Sequence, residues 1–163
     1  MKILVVDDSM PMRQVLRIHL SELGAAAVLE AKDGKHALEM LAVEKGVSLI
    51  VLDVNMPRLD GAECLKCLKD NPLTAAIPVI MCTSLGKKTD VLAFIRAGAA
   101  NYIVKPFTKE EFAKKIVATL TKLLDAGKPE GAMAEAFRRI VAKAAELAYT
   151  ADQDGPRLSR SER

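Results

Sequence analysis

Five short apolar runs, each followed by a helical repeat, set the limits on what this chain can fold into. The runs occupy residues 3–6 (ILVV), 26–31 (AAVLEA), 49–53 (LIVLD), 77–82 (IPVIMC) and 101–104 (NYIV). Four to six residues is a strand's length, and apolar character without alternation marks strands buried on both faces. The intervening segments repeat their apolar residues every three or four positions. In 10–23 these are Met12, Val15, Leu16, His19, Leu20 and Leu23, and in 33–42 they are Ala37, Leu38, Leu41 and Ala42. Further helices are predicted over 60–70, 87–97 and 108–124, with capping boxes at Asp60/Glu63 and Thr108/Glu111. Strands alternating with helices predict an α/β, doubly wound, five-stranded parallel sheet with right-handed crossovers, order 2-1-3-4-5, across residues 1–125.

Beyond it, Gly127, Pro129 and Gly131 mark a linker over 126–131, and 132–150 reads as an extra C-terminal helix. Its stripe of Met133, Phe137, Ile140, Val141, Ala144 and Ala148 is narrow and rich in Ala. An isolated helix of this kind is marginal in water, so it needs a partner surface. Pairing with a second copy or docking on another protein is expected ahead of packing on its own domain. Residues 151–163 are polar and expected to be disordered.

Length and composition exclude several classes. A chain of 163 residues is about one domain, and with 50% apolar residues it can bury a core, expected to be aliphatic because aromatics make up only 4% and Trp is absent. A net charge of +3 gives no nucleic-acid-binding or polybasic character. No apolar run reaches the roughly 18 residues that span a bilayer, and MKILVVDD is too short for a signal peptide, so no membrane insertion and a cytoplasmic location are expected. Cys64, Cys67 and Cys82 form no disulfide framework, and Cys64-Leu-Lys-Cys67 falls inside a helix, where core cysteines are the plainer reading. His19 and His36 have no companions at metal-ligand spacing.

In such sheets, ligands sit beyond the carboxyl ends of the strands. Asp7 and Asp8 end the first strand, Asp53 the third, Thr83 and Ser84 the fourth and Lys105 the fifth. Each alone is unremarkable: an Asp pair is usually a helix cap, and a lone Lys is usually on the surface. Together they put three carboxylates, a hydroxyl and an ammonium at one rim. Carboxylates so close raise at least one pKa unless a cation intervenes, and a hard divalent ion with oxygen ligands, Mg2+, suits them. Lys105 and Thr83 suit phosphoryl oxygens instead. Asp53 between such groups is placed as a nucleophile for phosphoryl transfer, with Pro57 and Gly61 turning the chain away to leave it accessible.

ILVVDDS, LIVLDVNMPRLDG, PVIMCTS and GAANYIVKPFT together resemble the receiver domain of two-component response regulators, most closely the single-domain chemotaxis type. The resemblance implies a flavodoxin-like fold and a phosphorylation-activated switch rather than an enzyme, acting through phosphorylation-dependent protein binding. It implies that Asp53 is the phosphoacceptor for a histidine kinase, and that Asp8, Asp53 and the Asn55 backbone carbonyl ligate Mg2+ with Asp7 nearby or through water. Thr83 and Lys105 would then hold the phosphoryl group, Thr83 and Tyr102 form the switch, and a downstream protein reads the face built from the fourth helix, fifth strand and fifth helix. A homodimer through the C-terminal helix would add a further partner.

Leu85 departs from the acidic residue expected there and would prolong the acyl phosphate. A haloacid-dehalogenase-type phosphatase would need Asp-x-Asp after the first strand, whereas the pair here is adjacent. The receiver of a transcription regulator is the other alternative, although the tail offers no helix-turn-helix pattern.

Overall fold

The computed structural model describes residues 1–84 and 88–153, with side chains described over 1–84 and 90–148. Leu85, Lys87 and the polar tail beyond residue 153 lie outside the described residues. Five strands, β1 (Lys2–Val6), β2 (Ala27–Ala31), β3 (Val47–Asp53), β4 (Val79–Thr83) and β5 (Asn101–Val104), form one parallel sheet of order β2-β1-β3-β4-β5. Helices α1 (Met10–Glu22), α2 (Gly34–Val43), α3 (Gly61–Asp70), α4 (Lys88–Arg96), α5 (Lys109–Asp125) and α6 (Gly131–Gln153) connect and extend it.

The period of two along each strand divides the interior into two cores. Leu4, Val6, Ile50 and Leu52 point to the side of α2, α3 and α4, where Ala37, Leu41, Leu65, Leu68 and Phe94 meet them. Ile3, Val5, Leu49 and Val51 point to the opposite side, against Leu16 and Leu20 of α1 and Phe112, Ile116 and Leu120 of α5. Every residue of β3 and β4 is buried, while the edge strand β2 is mostly half-buried. The caps follow their chemistry: Ser9, Asp33 and Asp60 accept from first-turn amides, and Thr108 and Glu111 form the reciprocal box at α5.

Two helix faces are narrower than their sequences suggest. Val15 is 43% exposed, and Ala42 is also exposed, because apolar spacing locates a stripe's centre better than its edges.

The larger correction concerns α6, which packs on its own domain. Phe137 and Ile140 are each 1% exposed and join the core built by α1 and α5. Val141, Ala144 and Leu147 are partly buried against the same core. The reversal starts at Gly127, whose φ of 67° suits a residue without a Cβ. Its amide donates to the Leu124 carbonyl and that of Lys128 to Leu123, the double bond of a Schellman turn. The middle of the apolar stripe therefore has an intramolecular partner, contrary to the expectation that another molecule would cover it first, while Met133, 38% exposed, and Ala148 stay in solvent.

Candidate functional site: an acidic cluster at the sheet rim

Strand register brings the polar strand ends together. Val6 pairs with Leu52, so Asp7 and Asp53 leave neighbouring strands at one level. Asp53 pairs with Cys82, which puts Thr83 one step further on, and Thr83 pairs with Val104, the residue before Lys105. The Lys105 amide donates to the Thr83 carbonyl at 2.8 Å, fixing the start of the lysine's loop.

The Lys105 ammonium then reaches back across the sheet. Its Nζ lies 2.7 Å from Asp7 Oδ2 and 2.7 Å from Asp53 Oδ1. Asp7 and Asp53 are 1% and 4% exposed, Thr83 is fully buried, and Asp8 is exposed at the mouth. The second oxygen of Asp7 accepts from the Ser9 amide at 2.8 Å, and Arg13 Nη1 donates to the Asp7 carbonyl at 2.8 Å. Asn55 sits two residues beyond Asp53, and its Nδ2 donates to Ser84 Oγ at 2.9 Å across the opening. Tyr102 lies outside the cluster, half-buried on β5, with Lys115 Nζ 4.4 Å from its ring centroid.

The electrostatics follow from this packing. Burial raises the Asp53 pKa above its ordinary value; the Lys105 hydrogen bond and charge oppose the rise, while Asp7 and Asp8 add to it. A carboxylate is raised as the residue types imply, with desolvation rather than mutual repulsion as the first cause. For Lys105, burial acts to lower the pKa, but its bonds to Asp53 and Asp7 outweigh it, and the net shift is upward. The ammonium is therefore a permanent cation within the cluster.

The donor set suits a hard cation. Asp7, Asp8 and Asp53 each offer a carboxylate oxygen, all within 4.8 Å of one another, and oxygen-only ligation of this kind fits Mg2+. Two of the cysteines are inert by comparison, since burial pushes the Cys64 and Cys82 thiols up to about 12, whereas Cys67, expected in or near the core, is exposed on the outer face of α3. His19 packs edge-on against Phe112, and His36 Nδ1 accepts from the Lys32 amide at 3.3 Å, so both are structural.

Two contributors to the site were not foreseen from sequence. Arg13 is tied to the Asp7 backbone and to Glu30 Oε2 at 3.2 Å. Arg58, in the loop after Asp53, pairs with the wholly buried Asp33. Their spacing from their partners carries no periodic signal.

A parallel sheet of this order, with acids ending β1 and β3 and a lysine ending β5, defines a receiver, and the chain belongs to the response regulator receiver domain family, whose model matches residues 3–117. It is a signalling protein rather than a conventional enzyme. The chain is 39% identical over 132 residues to a chemotaxis protein CheY homolog of Campylobacter jejuni, covering 81% of this chain and 98% of that protein. Chemotaxis protein CheY1 of Helicobacter pylori is 40% identical over 120 residues, covering 74% of this chain and 97% of its own length. Among solved structures, chemotaxis response regulator CheY4 of Vibrio cholerae superposes with a TM-score of 0.68 at 30% identity, covering 72% of this chain and 97% of that one. The family match ends inside α5, before α6 begins. Among the described residues, no helix is long and apolar enough to cross a membrane.

Proposed function

We propose that this protein is a phosphoaspartate switch of a chemotaxis-type pathway in which Asp53 accepts the phosphoryl group. The observation that carries this reading is the Lys105 ammonium, 2.7 Å from both Asp53 and Asp7, inside a cluster of three carboxylates. An Asp53 oxygen attacks the phosphorus of a histidine kinase's phosphohistidine or of a small acyl phosphate. The P–N or P–O bond breaks, its electron pair leaves with the imidazole or carboxylate, and an acyl phosphate forms on Asp53. Mg2+, when held by Asp8, Asp53 and the Asn55 backbone carbonyl with Asp7 beside it or through water, supplies neutralisation of the phosphoryl oxygens. Lys105 adds a second positive charge, and the Thr83 hydroxyl donates to a phosphoryl oxygen. Asp53 stands at a rigid strand end, so the nucleophile is oriented without loop ordering. The same groups would support slow self-catalysed dephosphorylation.

Thr83 and Tyr102 form the switch. Drawing the Thr83 hydroxyl toward the phosphoryl group frees space for the half-buried Tyr102 to turn inward, reshaping the face of α4, β5 and α5. Leu92, Ile95 and Val104 leave exposed apolar surface on these elements, which supports docking of a downstream protein there. A bias of about 100:1 between two shapes needs only ~2.7 kcal/mol of differential interaction.

Incubation with acetyl phosphate and Mg2+ is expected to add the mass of one phosphoryl group to the protein and none to Asp53→Asn. No gain on the parent protein, or an equal gain on the variant, would overturn the assignment.

A further inference from the structure

We infer that the segment from the end of β2 through the start of α2, residues 30–34, which supplies no residue to the acidic cluster, positions the two loops that hold the metal, with the Arg58–Asp33 pair as its main tie. The inference rests on the Mg2+ reading above.

Four bonds converge on residues 30–34. The Asp7 amide donates to the Ala31 carbonyl at 3.1 Å, and Arg13, which also holds the Asp7 carbonyl, donates to Glu30 at 3.2 Å. These two fix the turn carrying Asp7 and Asp8. The Gly34 amide donates to the Leu59 carbonyl at 3.3 Å, and the Arg58 guanidinium donates to Asp33 Oδ2. These fix the loop carrying Asn55.

Asp33 is the anchor rather than the follower. It is 0% exposed and its other oxygen caps α2 by accepting from the His36 amide at 2.9 Å. A carboxylate so buried is stable only with its cation in place. Arg58 reaches it from a backbone φ of 68°, the left-handed region that L residues rarely adopt, while its own side chain remains 53% exposed. The loop is also closed at its base, where the Gly61 amide donates to the Val54 carbonyl at 2.9 Å. Asn55 lies between these two fixed points.

Electrostatics and positioning have opposite signs here. Removing the Arg58 cation would, by Coulomb's law alone, strengthen attraction of a divalent ion. Releasing a ligand-bearing loop weakens it, and loss of an outer-shell partner lowers metal affinity by roughly 10–100-fold.

The test is calorimetric titration of the full chain with Mg2+, comparing the parent protein, Arg58→Ala, the double variant Arg58→Ala/Asp33→Asn and Lys2→Ala. Asn at 33 retains an acceptor for the His36 amide and leaves no buried unpaired charge, so the double variant is measurable even where the single one unfolds. Lys2→Ala breaks an ion pair of half-exposed partners, Lys2–Glu44 at 3.0 Å, at the opposite end of β1. The expected result is Mg2+ affinity at least about tenfold weaker in both Arg58 variants, with Lys2→Ala unchanged. Parental or tighter binding in the folded double variant overturns the inference while leaving the metal reading intact, as does an equal loss in Lys2→Ala. A parent protein that takes up no Mg2+ overturns the metal reading and this inference with it.

Discussion

Asp53 and Asp33 are both carboxylates withdrawn from water, and their surroundings move them in opposite directions. Burial raises Asp53 despite Lys105. At Asp33 burial also pushes upward, but the His36 amide and Arg58 outweigh it and the pKa falls. The consequences for stability are opposite in sign. The Asp53 contribution is present below its ordinary 3.8 and lost as pH rises through the higher folded value, so at neutral pH its charge opposes folding. Asp53→Asn in metal-free buffer should therefore raise the Tm at neutral pH by about 2–4 °C, the shift that ~1 kcal/mol produces at this chain length. The gain should shrink toward pH 4, as melts across a pH series would show. The Asp33 contribution is present above 3.8 and lost as pH falls through its lowered value. Asp33→Ala should lower stability by ~1–2 kcal/mol at neutral pH through loss of the cap, a deficit that narrows at about pH 3 in denaturant titrations. Asp53, Thr83 and Lys105 were legible in sequence because each ends an apolar run. Asp33–Arg58 was not, since it joins residues 25 apart through a left-handed arginine that no spacing rule marks.

At the scale of elements, the start of α3 is where propensity and packing disagree. Ala is a better helix former than Gly by roughly 1 kcal/mol, so Gly61→Ala would be stabilising if local preference decided. A Cβ at Gly61 would instead sit 2.1 Å from the Asp53 carbonyl oxygen and 2.8 Å from Val54 Cα. These are backbone atoms of β3 and the residue after it, and they cannot move aside without shifting Asp53. Gly61→Ala should lose more than about 2 kcal/mol in chemical denaturation, and the protein that remains folded should accept phosphoryl from acetyl phosphate more slowly. The sequence marked Gly61 as a turn residue; the close approach behind it depends on how α3 docks, which needs the third dimension. Val15 and Ala42 are the matching case for helices, assigned to an apolar face by spacing yet left in water at the edges of that face.

For the whole molecule, α6 enlarges one of the two cores without touching the other. Its central stripe was readable, although the helix runs to Gln153, three residues past the expected end; its partner was not, because α5 offers Phe112, Ile116 and Leu120 to the sheet and to α6 alike, and no linear pattern separates the two uses. Shortening the chain to residues 1–128 uncovers the surface that Phe137 and Ile140 now cover. At ~1.5–3 kcal/mol per large buried side chain, the two together are worth about 3–6 kcal/mol, and at about 2–4 °C per kcal/mol the Tm should fall by roughly 6–24 °C. The truncated protein should still gain one phosphoryl mass, because α6 packs on helix side chains rather than at the strand ends. Light scattering on the full chain should give a monomeric mass.

The Lys105 ammonium joins acceptors 98 and 52 positions away along the chain, one at the carboxyl end of each of two adjacent strands. It works as a staple, holding together termini of β1, β3 and β5 that the polypeptide itself connects only by long detours. On the proposed reading, phosphorylation of Asp53 would replace the acceptor under one prong with a phosphoryl oxygen that the same ammonium holds. The ends of β1 and β5 would then feel the change directly through the lysine, alongside the Thr83 and Tyr102 movement.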